Sequence, residues 1–103
     1  MFGEEDMALE IIENGSITSV MTVYEDFLVY KKGIYHHVTG KDLGRQALRI
    51  VGFGTQGLKK FWVVANTWGA KWGENGFVRI ARGHNECGLE VEAFSAVVDF
   101  DRN

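Results

Sequence analysis

Apolar residues recur at helical spacing near the start of the chain and in alternation soon after it. In Glu4 to Asn14, EEDMALEIIEN, the positions of Met7, Ala8, Ile11 and Ile12 predict one helix, with acids in its first turn. Gly15 is the expected stop. Ser16 to Tyr24 then sets Ile17, Ser19, Met21 and Val23 against Thr18, Val20 and Thr22, the two-residue period of a half-buried strand rich in β-branched residues. Glu25 to Tyr30 predicts a single helical turn before a turn at Gly33. Further strands are expected at Gln46 to Gly54, Phe61 to Thr67, Phe77 to Arg82 and Phe94 to Phe100. One helix followed by several strands predicts an α+β fold, an N-terminal helix on a curved, barrel-like antiparallel sheet.

Bulk numbers narrow the class. The 103 residues are one domain's worth of chain, expected to form a single domain over 1–103, and no repeat or linker interrupts them. A hydrophobic share of 46% with 24% charged residues suits a globular protein with its own core. A net charge of −3 argues against a nucleic-acid partner. No apolar run approaches the roughly 18 residues of a membrane-spanning helix. The opening MFGEEDMALE is acidic and lacks the apolar stretch of a signal peptide. Cys87 is the single cysteine, which leaves a buried thiol or one side of an intermolecular bridge. With no proline and 13 glycines, the turns fall to glycine.

One loop carries more than a turn needs. Asn66, Trp68, Trp72, Gly73 and Gly76 make the pattern N-T-W-G-x-x-W-G-x-x-G. Indoles that cap the sheet and glycines that make turns would account for it structurally; a reaction site would account for it equally.

Here the sequence resembles the papain-type cysteine peptidases, in their C-terminal half and nearest to cathepsin B. The stretches YEDFLVYKKGIYHHVTG, ALRIVGFG, FWVVANTWGAKWGENGFVRIARG and NECGLEVE carry the resemblance over nearly the whole chain. The family attacks a peptide carbonyl with a cysteine thiolate, a histidine moves the proton, and an asparagine orients the imidazole. By this resemblance Asn66 falls on the asparagine and Gln46 on the histidine. Trp68 falls on the tryptophan that shields the asparagine–histidine bond, and Trp72 on one bordering the leaving-group side of the cleft. Arg45 stands where the family keeps a glycine against the substrate. Glu92 falls on an acid deep in the pocket for the second residue before the scissile bond, and Arg45 is expected either to turn toward it or to point into solvent. With Ala47, these complete the implied cleft positions.

The family's C-G-S-C-W-type nucleophile run does not occur in these residues, and Cys87 in NECGLE matches a cysteine outside the catalytic centre. Glutamine does not titrate near neutral pH and is no general base. Nor does His36, His37 or His84 fall on the catalytic histidine. The implied function is a cathepsin-B-like C-terminal domain without catalysis, a pseudoenzyme or interaction module. The alternatives are one half of a split peptidase and an inhibitor competing for a relative's cysteine-bearing half. No metal or cofactor is implied. The expected partner is a protein or a second copy, docked on the cleft-side face. The family is lysosomal or secreted, and the compartment of this chain stays open.

Overall fold

The computed structural model describes residues 3–91 and the backbone of Ala93–Ser95. Helix α1, Glu4–Asn14, forms as the spacing predicts, and Gly15 closes it at φ 92° with its N–H donating to the Ile11 carbonyl at 2.8 Å. Met7 and Ile11 are buried and Ala8 packs beside them, whereas Ile12 is 69% exposed. The helix therefore meets the sheet along a narrower stripe than its four apolar residues suggest.

Strand β1, Ile17–Tyr24, alternates buried and half-buried residues along its entire length. Ser19, on the buried face, donates its hydroxyl to the Leu89 carbonyl, which satisfies a polar group that would otherwise be costly there. One turn of helix, α2 (Glu25–Leu28), buries Phe27. A two-residue strand, β2 (Ile34–Tyr35), follows. The long β3 (Asp42–Gln56), β4 (Lys59–Ala65) and β5 (Phe77–Ala81) come next. A 3-10 turn at Glu86–Gly88 and a short β6 (Ala93–Ser95) complete the described chain. The rest of the strand expected at Phe94 to Phe100 lies outside the described residues.

The six strands form one sheet in the order β2-β5-β4-β3-β1-β6. Every pairing is antiparallel except that of β2 with β5, which is parallel. The sheet is thus mixed, where the sequence suggested antiparallel pairing throughout, because β2 reaches its edge by a long crossover. Strand β3 pairs with β1 from Asp42 to Ile50 and with β4 from Arg49 to Gln56, and its register with β4 slips between Ile50 and Gly52. Such a bulge bends a strand and raises its twist, so one strand serves two neighbours at different angles. The core lies between α1 and the buried face of this sheet, with Ile17, Met21, Ile50, Trp62, Val64, Val78 and Ile80 fully enclosed. Each such aliphatic side chain contributes about 1.5–3 kcal/mol by leaving water.

Candidate functional site

Gln46 lies on β3 opposite Met21 of β1, and Asn66 is the first residue beyond β4. Since Arg49 pairs with Ala65, Asn66 leaves the sheet just past that pair, and Gln46 stands one pleat further along β3. The two side chains meet: Gln46 Nε2 donates to Asn66 Oδ1 at 3.0 Å. The Thr67 N–H donates to the same oxygen at 2.8 Å, which fixes the orientation of the Asn66 amide. Exchanging oxygen and nitrogen there would turn two donors against each other. The Asn66 backbone is held as well, its N–H donating to the Gly76 carbonyl at 3.1 Å. Its Nδ2 is buried with no partner among the described residues.

The loop from Trp68 to Gly76 sits beside this pair and is built from rings. Trp68 packs edge-on to Phe27 and Trp72, at centroid distances of 5.5 and 5.0 Å. Trp72 also meets Phe27 and Tyr30, and its indole N–H donates to the Leu28 carbonyl at 3.2 Å. The glycines make turns. Gly73 has φ 61°, and a Cβ there would stand 2.6 Å from the Phe77 carbonyl oxygen and 3.2 Å from the Tyr30 ring. Of the two readings left open by the sequence, turn-making accounts for the glycines, and the indoles form a wall over α2. Trp68 remains 37% exposed.

Ala47 is exposed and lines a depression of about 430 Å³ with Thr18, Leu48, Arg49, Ala65 and Asn66. Arg45 is exposed on β3 opposite Thr22. Glu92, its expected counterpart, lies outside the described residues.

The histidines are engaged elsewhere. His37 stacks on Tyr24 with centroids 3.6 Å apart, and its Nδ1 lies 3.1 Å from Asp26 Oδ1. His36 and His84 both face Glu86 Oε1, at 2.5 and 3.1 Å. Burial pushes the Glu86 carboxyl up, but hydrogen bonds from His36, the His37 N–H and His84 outweigh it and hold the group below its usual value. Among the described residues, the ligand atoms of His36, His84 and Glu86 lie within 4.8 Å of one another. Sequence reading named no ligand set. The only local signal is His84-x-Glu86, because His36 joins them through the parallel pairing of β2 with β5. Cys87 is a free, half-buried thiol pushed up to about 12, first by burial and then by the Glu86 carboxylate. A nucleophile needs the opposite shift.

Comparison with known proteins places this geometry. Residues 2–97 match the profile described as Papain family cysteine protease. Cathepsin B-like cysteine proteinase 4 of Caenorhabditis elegans is 54% identical over 81 residues, which cover 79% of this chain and 24% of that protein. The Gut-specific cysteine proteinase of the same organism is 49% identical over 89 residues, 86% of this chain and 26% of its own length. This chain therefore spans about a quarter of the length of these curated relatives. Among solved structures, proCathepsin B S9 from Trypanosoma congolense superposes with a TM-score of 0.87 at 44% identity, covering 89% of this chain and 32% of that one. The bromelain protease from Ananas comosus, solved with the E64 inhibitor, gives 0.77 at 30% identity, covering 88% and 44%. The sheet, the Asn66 loop and these matches lead to one assignment: the chain belongs to the papain family of cysteine proteases, as a cathepsin-B-like domain that fits the C-terminal half.

Proposed function

We propose that this domain is non-catalytic and binds protein through the face that bears Gln46, Asn66 and Trp68. The observation that carries the reading is the Gln46–Asn66 hydrogen bond. An imidazole at this place would donate an N–H to the Asn66 oxygen, and Gln46 donates its amide N–H in the same sense. The architecture of the pair is kept while the group that accepts and returns a proton is gone. A positioned acid–base contributes on the order of 10²–10⁴ in rate, so peptidolysis at this position is depressed by that factor whatever thiol faces it. This weighs equally against one half of a split peptidase. Arg45 adds a guanidinium where the resemblance implies a glycine, which narrows the substrate path.

Apolar residues stand beside the polar pair: Trp68 is 37% exposed, and Leu28 and Val29, 46% and 72% exposed, lie at the end of α2, where the Trp72 indole N–H donates to the Leu28 carbonyl. A second copy of the chain is the proposed occupant, since twofold pairing is the commonest assembly. Peptide reporters with dibasic and hydrophobic sequences test the first statement: no turnover is expected, and steady turnover blocked by a thiol-directed inhibitor overturns it. Sedimentation at micromolar concentration tests the second. A clean 11.6 kDa monomer that binds no hydrophobic dye overturns the pairing.

A further inference from the structure

We propose that His36, His84 and Glu86 form a binding site for one divalent transition-metal ion of the zinc class, with His36 Nδ1, His84 Nε2 and Glu86 Oε1 as ligands. The site is independent of the cleft and of the reading given above for it. Its three ligand atoms lie within 4.8 Å of one another and come from two stretches of chain, His36 from one and His84 with Glu86 from the other. His36 follows β2, His84 follows β5, and Glu86 opens the 3-10 turn.

The donor set is chemically apt. Two imidazoles and one carboxylate suit zinc better than magnesium or calcium, which prefer all-oxygen sites. Zinc binds such donors at about 2.0–2.2 Å, so tetrahedral ligands stand roughly 3.3 Å apart. His84 Nε2 is already 3.1 Å from Glu86 Oε1. His36 Nδ1 is nearer, at 2.5 Å, and would withdraw by about 0.8 Å to reach that spacing, on the solvent side, where its side chain is 63% exposed. Glu86, at 7% exposure, is the fixed member.

The surroundings orient that carboxylate. Its second oxygen, Oε2, accepts the His37 N–H at 3.1 Å, which leaves Oε1 to face both imidazoles. Metal ligands are commonly held by such a second partner. The backbone is left-handed on both sides, at Asn85 (φ 56°) and Cys87 (φ 54°), and turns Glu86 inward. Left-handed non-glycine residues are uncommon and persist where surrounding structure holds them. A cavity of about 550 Å³, lined by His36 and His84 with Lys60 and Arg82, opens beside the rings. It leaves room for water or an anion in the fourth coordination position.

The test uses the 103-residue chain stripped by a chelator, then titrated with Zn²⁺ against a chromophoric competitor. One ion per chain is expected, with a dissociation constant below about 10 µM. His36→Gln and His84→Gln change exposed rings and should each weaken binding more than the roughly 10–100-fold typical of outer partners. His37→Gln, whose ring faces Asp26, should not. Co²⁺ should give the intense visible absorption of a four-coordinate ion. Weaker wild-type binding, undiminished binding in either His36 or His84 variant, equal loss in the His37 variant, or a pale six-coordinate cobalt spectrum each overturns the site. The three groups would then be a hydrogen-bonded cluster only.

Discussion

Replacing Glu90 should destabilise this domain strongly, because its buried carboxylate satisfies a buried indole N–H. The carboxylate is 7% exposed and receives three donors. Oε2 accepts the Trp62 indole N–H at 3.0 Å and the Gly83 N–H at 2.7 Å, and Oε1 accepts the Asn85 N–H at 3.2 Å. Trp62 is fully buried, so in Glu90→Ala its N–H has no water to turn to, a loss of about 1–3 kcal/mol. Gly83 and Asn85 are exposed, and water replaces their partner at about 0.5–1 kcal/mol each. Glu90→Ala should therefore destabilise by about 2–5 kcal/mol, or lower Tm by roughly 10–25 °C in a chain of this size. Glu90→Gln keeps one oxygen for Trp62 and Gly83 and sets its amide N–H₂ against Asn85, so about 1 kcal/mol is expected. Urea unfolding followed by tryptophan fluorescence and far-ultraviolet circular dichroism reads both. An alanine variant within about 1 kcal/mol of the parent, or a glutamine variant as damaged as the alanine one, would refute the reasoning.

Further outcomes follow from other groups. The Cys87 thiol, raised to about 12, should react with iodoacetamide far more slowly in the folded chain than in urea near pH 8; equal rates would contradict its buried, carboxylate-flanked setting. For Asp26, burial pushes the carboxyl up, but hydrogen bonds from the Tyr35 hydroxyl, the Val38 N–H, His37 and the Thr39 N–H hold it well below the usual range. A depressed folded value adds stability above the unfolded value of about 3.9, and that stability is lost as pH falls toward the folded value. Unfolding free energy should decline below about pH 4 and decline less steeply in Asp26→Asn; identical acid limbs would remove Asp26 from the account. Gly73→Ala should destabilise by about 2 kcal/mol or more, from positive φ and the contact with Phe77 and Tyr30, and a cost under about 1 kcal/mol in urea unfolding would show that the loop yields.

The legible parts of this fold are those whose signal is local. The α1 spacing and the β1 alternation each fall within one element, and the bounds of α1 match the sequence reading residue for residue. Strand β3 runs longer than its apolar core suggests, because the exposed ends around Leu43 and Gln56 are held by partner strands rather than by burial. Strand β2 left no trace, since two residues show no period and its partner lies far along the chain. At the site, the Asn66 loop was marked by its tryptophans, while Gln46 gained meaning only from the resemblance and its contact only from the register of β3 on β4. The His36–His84–Glu86 cluster was invisible for the same reason as β2.

The parallel β2–β5 edge carries a kinetic consequence. Strands β3, β4 and β5 follow one another in sequence as an antiparallel meander, joined by a two-residue turn and then by the Asn66 loop, so their pairing closes smaller loops than the β2–β5 pairing does. The edge strand β2 must instead find β5 after that meander exists, across 45 residues of sequence from Ile34 to Arg79. Docking of Ile34 and Tyr35 onto Arg79 and Ile80 is therefore expected late in folding, together with the still more distant pairing of β6 with β1. The sequence contains no proline, so isomerisation at X-Pro bonds contributes no slow phase of its own. A second, slower refolding phase should then report edge closure, and it should be lost when Ile34→Gly removes the strand's grip while the fast phase stays. A fast phase slowed as much as the slow one would place β2 inside the nucleus instead.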